Sequence, residues 1–499
     1  MGHAARILSP ESALGVWRLL PNLYLILAAV AGSIFLVCQP PGQTPDAYSH
    51  FYRAGELATG QLIGQRLSSI SAGGHVPGHM QVLTDRLLPI TVNPRARITW
   101  HDLAVIGHTA VSSRPAEVSN SNTAIYPPQF YVPQALGIDI ALLFGRSVLF
   151  AYEAAVVLNG LAAVFISYLA LRLARIGRFW LFTVLCLPMT LAEYFSISQD
   201  ALLVAFSALV FGVLSSSMLQ RPGDRPSRGS ASYRIRYNRW IAGSYVALTA
   251  VNMSRPVYLS LLALPLVIPP PCGSEPGPRS RSRIAEFVRC RSRALLALLI
   301  SVAAIGVWTL LDGLYVYSVL PRPRVKPHAQ LLLVLQHPLR DLTIAVRTLS
   351  ANGVYYVHSF EGLLAWASLI LPAWTYVLLT VALLLALVVG DPLEAGAGRT
   401  KLLPLAGRTL SVATVVVLGI AFVEGAELLT WTPLGSTVIQ GVQGRYFLPL
   451  APFVALLLPL RPRLIRAAQP VVFALMPLLL LPPVLASGVT LLRRYYIGA

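Results

Sequence analysis

The chain has 499 residues, 55% hydrophobic and 12% charged, with a formal net charge of +19 and a mean hydropathy of +0.65. Soluble globular chains average roughly 45–50% apolar and about 25% charged residues, so this composition excludes an ordinary soluble domain. The basic excess sits mainly in short loops between apolar runs, as the positive-inside rule expects, and gives no ground for nucleic-acid binding.

Apolar runs near 20 residues recur from end to end, the length that crosses ~30 Å of hydrocarbon. In chain order they predict membrane helices near 17–37, 148–171, 179–197, 200–219, 240–253, 256–270, 294–317, 361–389, 409–423, 445–460 and 470–491. The first reads as an uncleaved helix, because no small-residue cleavage site follows its apolar run. The expected fold is an all-α polytopic membrane protein, one integral domain over 1–499 with about 11 transmembrane helices and outer juxtamembrane helices.

The run FYVPQALGIDIALLFG (130–145) is short, carries Asp139 and is broken by Pro133 and Gly137. It reads as a juxtamembrane helix on the outer surface. With that choice and the N-terminus inside, the basic stretches RLARIGR, RPGDRPSRGSASYRIRYNR (221–239) and RSRSRIAEFVRCRSR (279–293) fall in the cytoplasm, and the C-terminus falls outside. The cytoplasmic loops are too short for a catalytic domain, so any active site faces outward. Cys38, Cys186, Cys272 and Cys290 show neither zinc-site spacing nor a disulfide framework.

Two outer loops are large, 38–129 and about 318–360, and the first, rich in Gly, Pro, Ser and Asn, reads as a folded cap. It opens with TPDAYSHFYRAGELATG, where Pro45-Asp46 predicts a helix N-cap whose carboxylate accepts backbone N–H bonds. Asp46, His50 and Arg53 then share one helical face. They form either a solvated juxtamembrane helix or a site in which Asp46 is base or ligand, with His50 and Arg53 beside it. HVPGH (75–79) carries two histidines, but Pro77 and Gly78 break any helix that would align them on a metal.

Further along, EYFSISQDALLVAF brackets an outer turn with Glu193 and Asp200, and Asp200 opens a helix toward the surface that carries Asp46. In IQGVQGRYFLPLAP, Arg445 begins the tenth span from outside, flanked by Gln443 and Tyr446. An arginine there either snorkels to the interface or holds a phosphate with its planar fork. Arg255 and Asp312 read as members of structural ion pairs.

The acid after helix one, the large first outer loop, the segment YPPQFY, the outward Asp200 and QGRYFLPL follow in an order similar to the bacterial membrane proteins of domain-of-unknown-function family 2142. That family in turn resembles the GT-C superfamily of polyprenyl-phosphate-sugar glycosyltransferases. The family's P-D-E-x-x-H stands here as Pro45-Asp46-Ala47-Tyr48-Ser49-His50, with alanine for the glutamate. The superfamily's His-Pro-Pro stands as Tyr126-Pro127-Pro128.

The resemblance implies a GT-C-like enzyme of the bacterial cytoplasmic (inner) membrane, acting on its outer face. It implies transfer of a sugar from a polyprenyl-phosphate donor to a glycan, lipid or protein acceptor, with no particular metal assigned. Asp46 is then the catalytic base, and His50, Arg53, Asp200, Gln443, Arg445 and Tyr446 bind substrate. A transporter or flippase of a lipid-linked substrate and an inactive scaffold of envelope assembly are the alternatives, the latter suggested by Ala47.

Overall fold

Helix α1, Pro10–Cys38, carries the first apolar run and delivers the chain to the cap that opens at Thr44. The computed structural model describes residues 10–218, 231–267, 283–317, 324–390, 402–457 and 468–497, over which the chain is mostly helical. The basic stretches 221–230 and 279–282 lie outside the described residues, as do His3 and Cys272.

The long segment after α1, residues 38–129, folds on itself into short helices and a small sheet, a cap at one end of the helices. Helix α2, Ala47–Ala58, packs on the strand Ala72–Gly78 and on the later helix Val132–Leu143. Strands β1 (Gln65–Arg66), β2 (Ala72–Gly78) and β3 (Ser112–Ser119) form an antiparallel sheet in the order β1-β2-β3, with Gly73 opposite Ser119 and Pro77 opposite Pro115. Helices α3 (Gln81–Val92) and α4 (Trp100–His108) bridge β2 to β3. The hydroxyl of Thr99 accepts from Asp102 N at 3.1 Å and so caps α4.

The ambiguous run 130–145 forms a 3-10 turn, Pro128–Tyr131, and helix α5, Val132–Leu143, only 12 residues long. It packs closely along α6, Val148–Leu173, because Gly137 has no side chain; a Cβ there would collide with the backbone of Ala154 and Ala155. Ser147 starts α6 by accepting from Phe150 N.

Among the described residues four expected spans are not continuous α-helices: 256–270 and 445–460 hold 3-10 segments and single short helical turns, and two others break outright. Over 179–197 the chain forms α7 (Arg178–Leu185) and α8 (Pro188–Tyr194), with Leu187 extended between them at φ −62°, ψ 139°. Pro188 causes the break, since a residue before proline avoids the α region. Over 361–389 the helix begins only at Ala373, as α14 (Ala373–Val389). Residues 363–370 form instead a tight hairpin, Leu363–Leu364 against Leu369–Ile370, with Ala365 and Ala367 at positive φ. Hydropathy cannot see this turn, because every residue in it is small or apolar.

The remaining longer helices are α9 (Asp200–Met218), α10 (Ala231–Ser254), α11 (Arg283–Tyr315), α12 (Pro327–Gln336), α13 (Pro338–Glu361), α15 (Leu402–Thr430) and α16 (Gln469–Leu492), with four-residue helices at Leu264–Val267 and Ala451–Val454. A 3-10 segment, Pro256–Ala263, follows α10, and another, Gly444–Phe447, stands where the tenth span was expected to begin. Among the described residues five helical stretches are long and apolar enough to cross a membrane: Trp17–Cys38, Val148–Leu173, Arg291–Tyr315, Thr409–Thr430 and Gln469–Ile497. Shorter apolar helices cover Asp200–Ser216, Pro256–Val267 and Ala373–Val389.

The C-terminal turn docks on the cap. Arg494 donates to Ala96 O at 2.7 Å, and Tyr495 O accepts from Ile98 N at 3.2 Å. The end of α16 and the first loop therefore share one end of the bundle.

Candidate functional site

The site forms where α2 meets the starts of α9 and of the Gly444–Phe447 turn. Asp46 occupies the N-cap position of α2, but the expected capping bond is absent. Its backbone is left-handed, φ 55° and ψ 18°, a conformation that Asp tolerates better than most residues. That turn swings the carboxylate away from the first amides of the helix. Oδ1 instead accepts from Asn122 Nδ2 at 2.8 Å. Thr123 ties the same turn to α2 by donating to Ser49 O at 2.8 Å.

One turn on, His50 is buried. Its Nδ1 lies 2.7 Å from Tyr131 Oη and its Nε2 lies 3.3 Å from Ser198 Oγ. Burial pushes the imidazole down to about 4, so the ring is neutral at neutral pH. With a single N–H, one of its two hydroxyl neighbours must donate to it. Ser198 in turn accepts from Asp200 N at 3.1 Å, so the histidine is fixed to the start of α9.

Arg53 lies on the same helical face but is fully buried and occupied. It donates to Glu56 at 2.7 Å, to Tyr126 O at 2.9 Å and to Leu62 O at 2.6 Å. These bonds clamp the chain on either side of the sheet to α2. Its geometry is that of a brace within the cap.

Asp200, far in sequence from α2, is tied to His50 through Ser198, and Arg445 joins the same cluster through Tyr446, whose ring lies against both Arg255 and Arg445. Asp200 receives a two-pronged ion pair from Arg255, Nε at 3.0 Å and Nη2 at 2.8 Å. Arg445 is held by Gln443 Oε1 on Nε at 2.8 Å and by Glu193 Oε1 on Nη1 at 2.7 Å. Its Nη2 has no protein partner among the described residues.

Gly444 makes this placement possible. Its N–H donates to Ser359 Oγ at 2.7 Å, and a Cβ would run into Tyr356 O of α13. The ring of Tyr446 lies 5.4 Å from the guanidinium of Arg255 and 5.3 Å from that of Arg445, within cation–π range of both. Tyr258 Oη donates to Tyr446 O at 2.8 Å and closes a small pocket walled by Glu193, Asp200, Arg445 and Tyr446.

The structure thus gives Arg445 a carboxylate partner that sequence reasoning did not assign. Two guanidinium groups face two carboxylates, and Asp46 adds one more negative charge. Arg255, read only as an ion-pair member, is the partner of Asp200. Its position at the tip between two apolar runs is the signal that marked it. Asn122 and Tyr131 left no local signal, because their roles depend on contacts with α2 across the cap. His75 and His79 do not form a metal cage, and among the described residues no three His, Cys, Asp or Glu side chains do.

Apolar helices of membrane-crossing length, joined to a folded cap over a buried polar cluster, define a polytopic integral membrane protein. The family model described as "Predicted membrane protein (DUF2142)" matches residues 30–454, and the chain belongs to that family. Searches of curated proteins and of solved structures return no match.

Proposed function

We propose that the protein is a membrane glycosyltransferase that moves a sugar from a lipid-phosphate donor to an acceptor at the capped end of the bundle. A GT-C-like arrangement of about eleven spans, with that end outside a bacterial cytoplasmic membrane, is part of the same reading. The docking of Arg494 on Ala96 supports a C-terminus on the side of the cap. The observation that carries the proposal is the pairing of Asp200 with Arg255 and of Glu193 with Arg445, both guanidinium groups against the ring of Tyr446, with Ser198 linking Asp200 to His50 one turn beyond Asp46.

Asp46 is the base in this reading. Asn122 holds one carboxylate oxygen and orients the other toward the acceptor hydroxyl. As the acceptor oxygen bonds to the anomeric carbon, its proton passes to Asp46 and the bond from that carbon to the phosphate oxygen breaks. General-base help of this kind contributes about 10²–10⁴-fold. The leaving lipid phosphate gains negative charge, which the outward N–H groups of Arg445 and Arg255 meet. Glu193 and Asp200 hold the two planar forks in place, so little reorganisation is needed as charge develops. Gln443 and Tyr446 complete the walls, while Arg53 braces the cap.

The test is single-turnover release of lipid phosphate by purified protein in nanodiscs, against a panel of polyprenyl-phosphate sugars. Release that requires Asp46 supports the reading, and release unchanged in Asp46→Asn overturns it. A second reading, an inactive scaffold, draws support from the closed ion pair of Arg445 with Glu193 and from alanine at position 47. It predicts no turnover with any donor and no loss of assembly partners in Asp46→Asn.

A further inference from the structure

A cleft of about 700 Å³ lies between α13, α14 and α15, and Phe447, from the turn that carries Arg445, closes one part of its wall. Its walls are almost wholly apolar, with Leu349, Leu384 and Val417 exposed along it. Two carboxyl groups interrupt that lining, Glu361 at the end of α13 and Glu424 on α15.

Glu361 is 1% exposed, yet only half of its hydrogen-bonding capacity is used. Thr380 Oγ1 donates to Oε1 at 2.7 Å, and Oε2 has no partner. A buried acceptor left unmet is destabilising, and more so when charged. That unmet acceptor belongs to a residue that lines the apolar cleft, so a ligand held there can supply the missing donor.

We infer that this cleft binds one long-chain amphiphile that carries no phosphate at this end and presents a hydroxyl or amine to Glu361. The apolar walls take the chain, and Glu361 takes the head. A hydroxyl meets the carboxyl in either protonation state, and an ammonium is held by its ionised form. Glu424 adds charge of the same sign and turns a phosphate away. The anionic lipid belongs at Arg255 and Arg445, so the protein holds two lipid sites of opposite electrostatic character. The inference concerns binding and stands whether or not sugar transfer occurs.

The test is native mass spectrometry of the full chain released from phosphatidylcholine nanodiscs with dodecylamine, dodecanol or dodecyl phosphate. The parent should retain one dodecylamine or one dodecanol per chain. Leu384→Trp, which fills the cleft from an exposed position, should abolish both adducts while leaving any dodecyl phosphate adduct unchanged. Glu361→Gln should weaken the amine adduct about tenfold or more, since a bond to a charged group is lost, and the alcohol adduct less. The amine and alcohol arms identify which head is preferred, and either supports the inference. Amine and alcohol adducts that survive Leu384→Trp overturn it. So does a dodecyl phosphate adduct lost with them, because the cleft would then hold any chain without regard to its head.

Discussion

Arg445 donates from Nη1 to Glu193 Oε1 at 2.7 Å, joining two residues 252 positions apart with side chains almost withdrawn from solvent. Removing one partner leaves the other as an uncompensated buried charge, a loss of about 3–5 kcal/mol. Arg445→Ala and Glu193→Ala should therefore each lower the melting temperature of the purified protein sharply. The double variant Glu193→Ala/Arg445→Ala should recover a large part of that loss. Additive losses in thermal melts would show that the pair is not coupled.

Arg445→Lys separates charge from geometry. Lysine retains the ion pair with Glu193 but cannot also reach Gln443 and keep an outward N–H in one plane. The variant should melt within about 1 kcal/mol of the parent, and turnover with a lipid-phosphate donor should fall by one to two orders of magnitude. Equal turnover in the two proteins would remove Arg445 from the donor site.

His50 gives the protein an acid limit. Its folded pKa is near 4 because burial disfavours the charged ring, whereas an unfolded histidine titrates near 6.5. Above pH 6.5 the ring is neutral in both states and contributes no pH dependence. As pH falls from 6.5 toward 4 the unfolded state takes up the proton first, so stability drops by roughly 3 kcal/mol over that window. Thermal melts across the window should show this slope in the parent and lose it in His50→Gln. A slope that persists in the variant would have to come from other groups.

The membrane class and most helix positions were legible, and Asp46, His50, Asp200 and Arg445 stood out as candidates, because each rests on a local signal. Those signals are an apolar run of fixed length, or a charge where the chain leaves one. Partners were not legible. Nothing near Arg445 names Glu193, and nothing near Asp46 names Asn122, because each pair closes only when distant segments pack. Arg53 shows the converse. Its spacing from His50 placed it on the right face, but only the fold reveals that Glu56, Tyr126 and Leu62 consume its donors. The breaks at Leu187 and over 363–370 escaped a hydropathy reading because they lie inside apolar sequence and depend on proline and turn geometry.

Asp200 and Arg255 test positioning as distinct from proton transfer. Asp200→Asn removes the charge but keeps an oxygen for one of the two Arg255 bonds, so the guanidinium loses its two-pronged hold. Turnover should fall about tenfold with the acceptor-side pH profile unchanged, because the residue that takes the proton is still present. A shifted pH profile in Asp200→Asn would instead assign the proton transfer to Asp200.

Asp46 separates a structural from a chemical role most cleanly. Its carboxylate caps no backbone amide, so Asp46→Asn removes no helix-capping bond. Asparagine also tolerates the left-handed backbone at φ 55°. The variant should therefore fold and reach the membrane, with a melting point close to the parent's. Asp46→Gly should melt close to the parent, because the left-handed backbone suits glycine, which offsets its extra backbone entropy and the lost bond to Asn122. Both variants lack a proton acceptor, and both should lose at least 10²-fold in transfer of sugar from a lipid-phosphate donor. Parent-like stability with abolished turnover in both would assign Asp46 to chemistry. A large fall in melting temperature in Asp46→Gly would show that the carboxylate bond to Asn122 holds the cap together, and Asp46 would then be a structural residue.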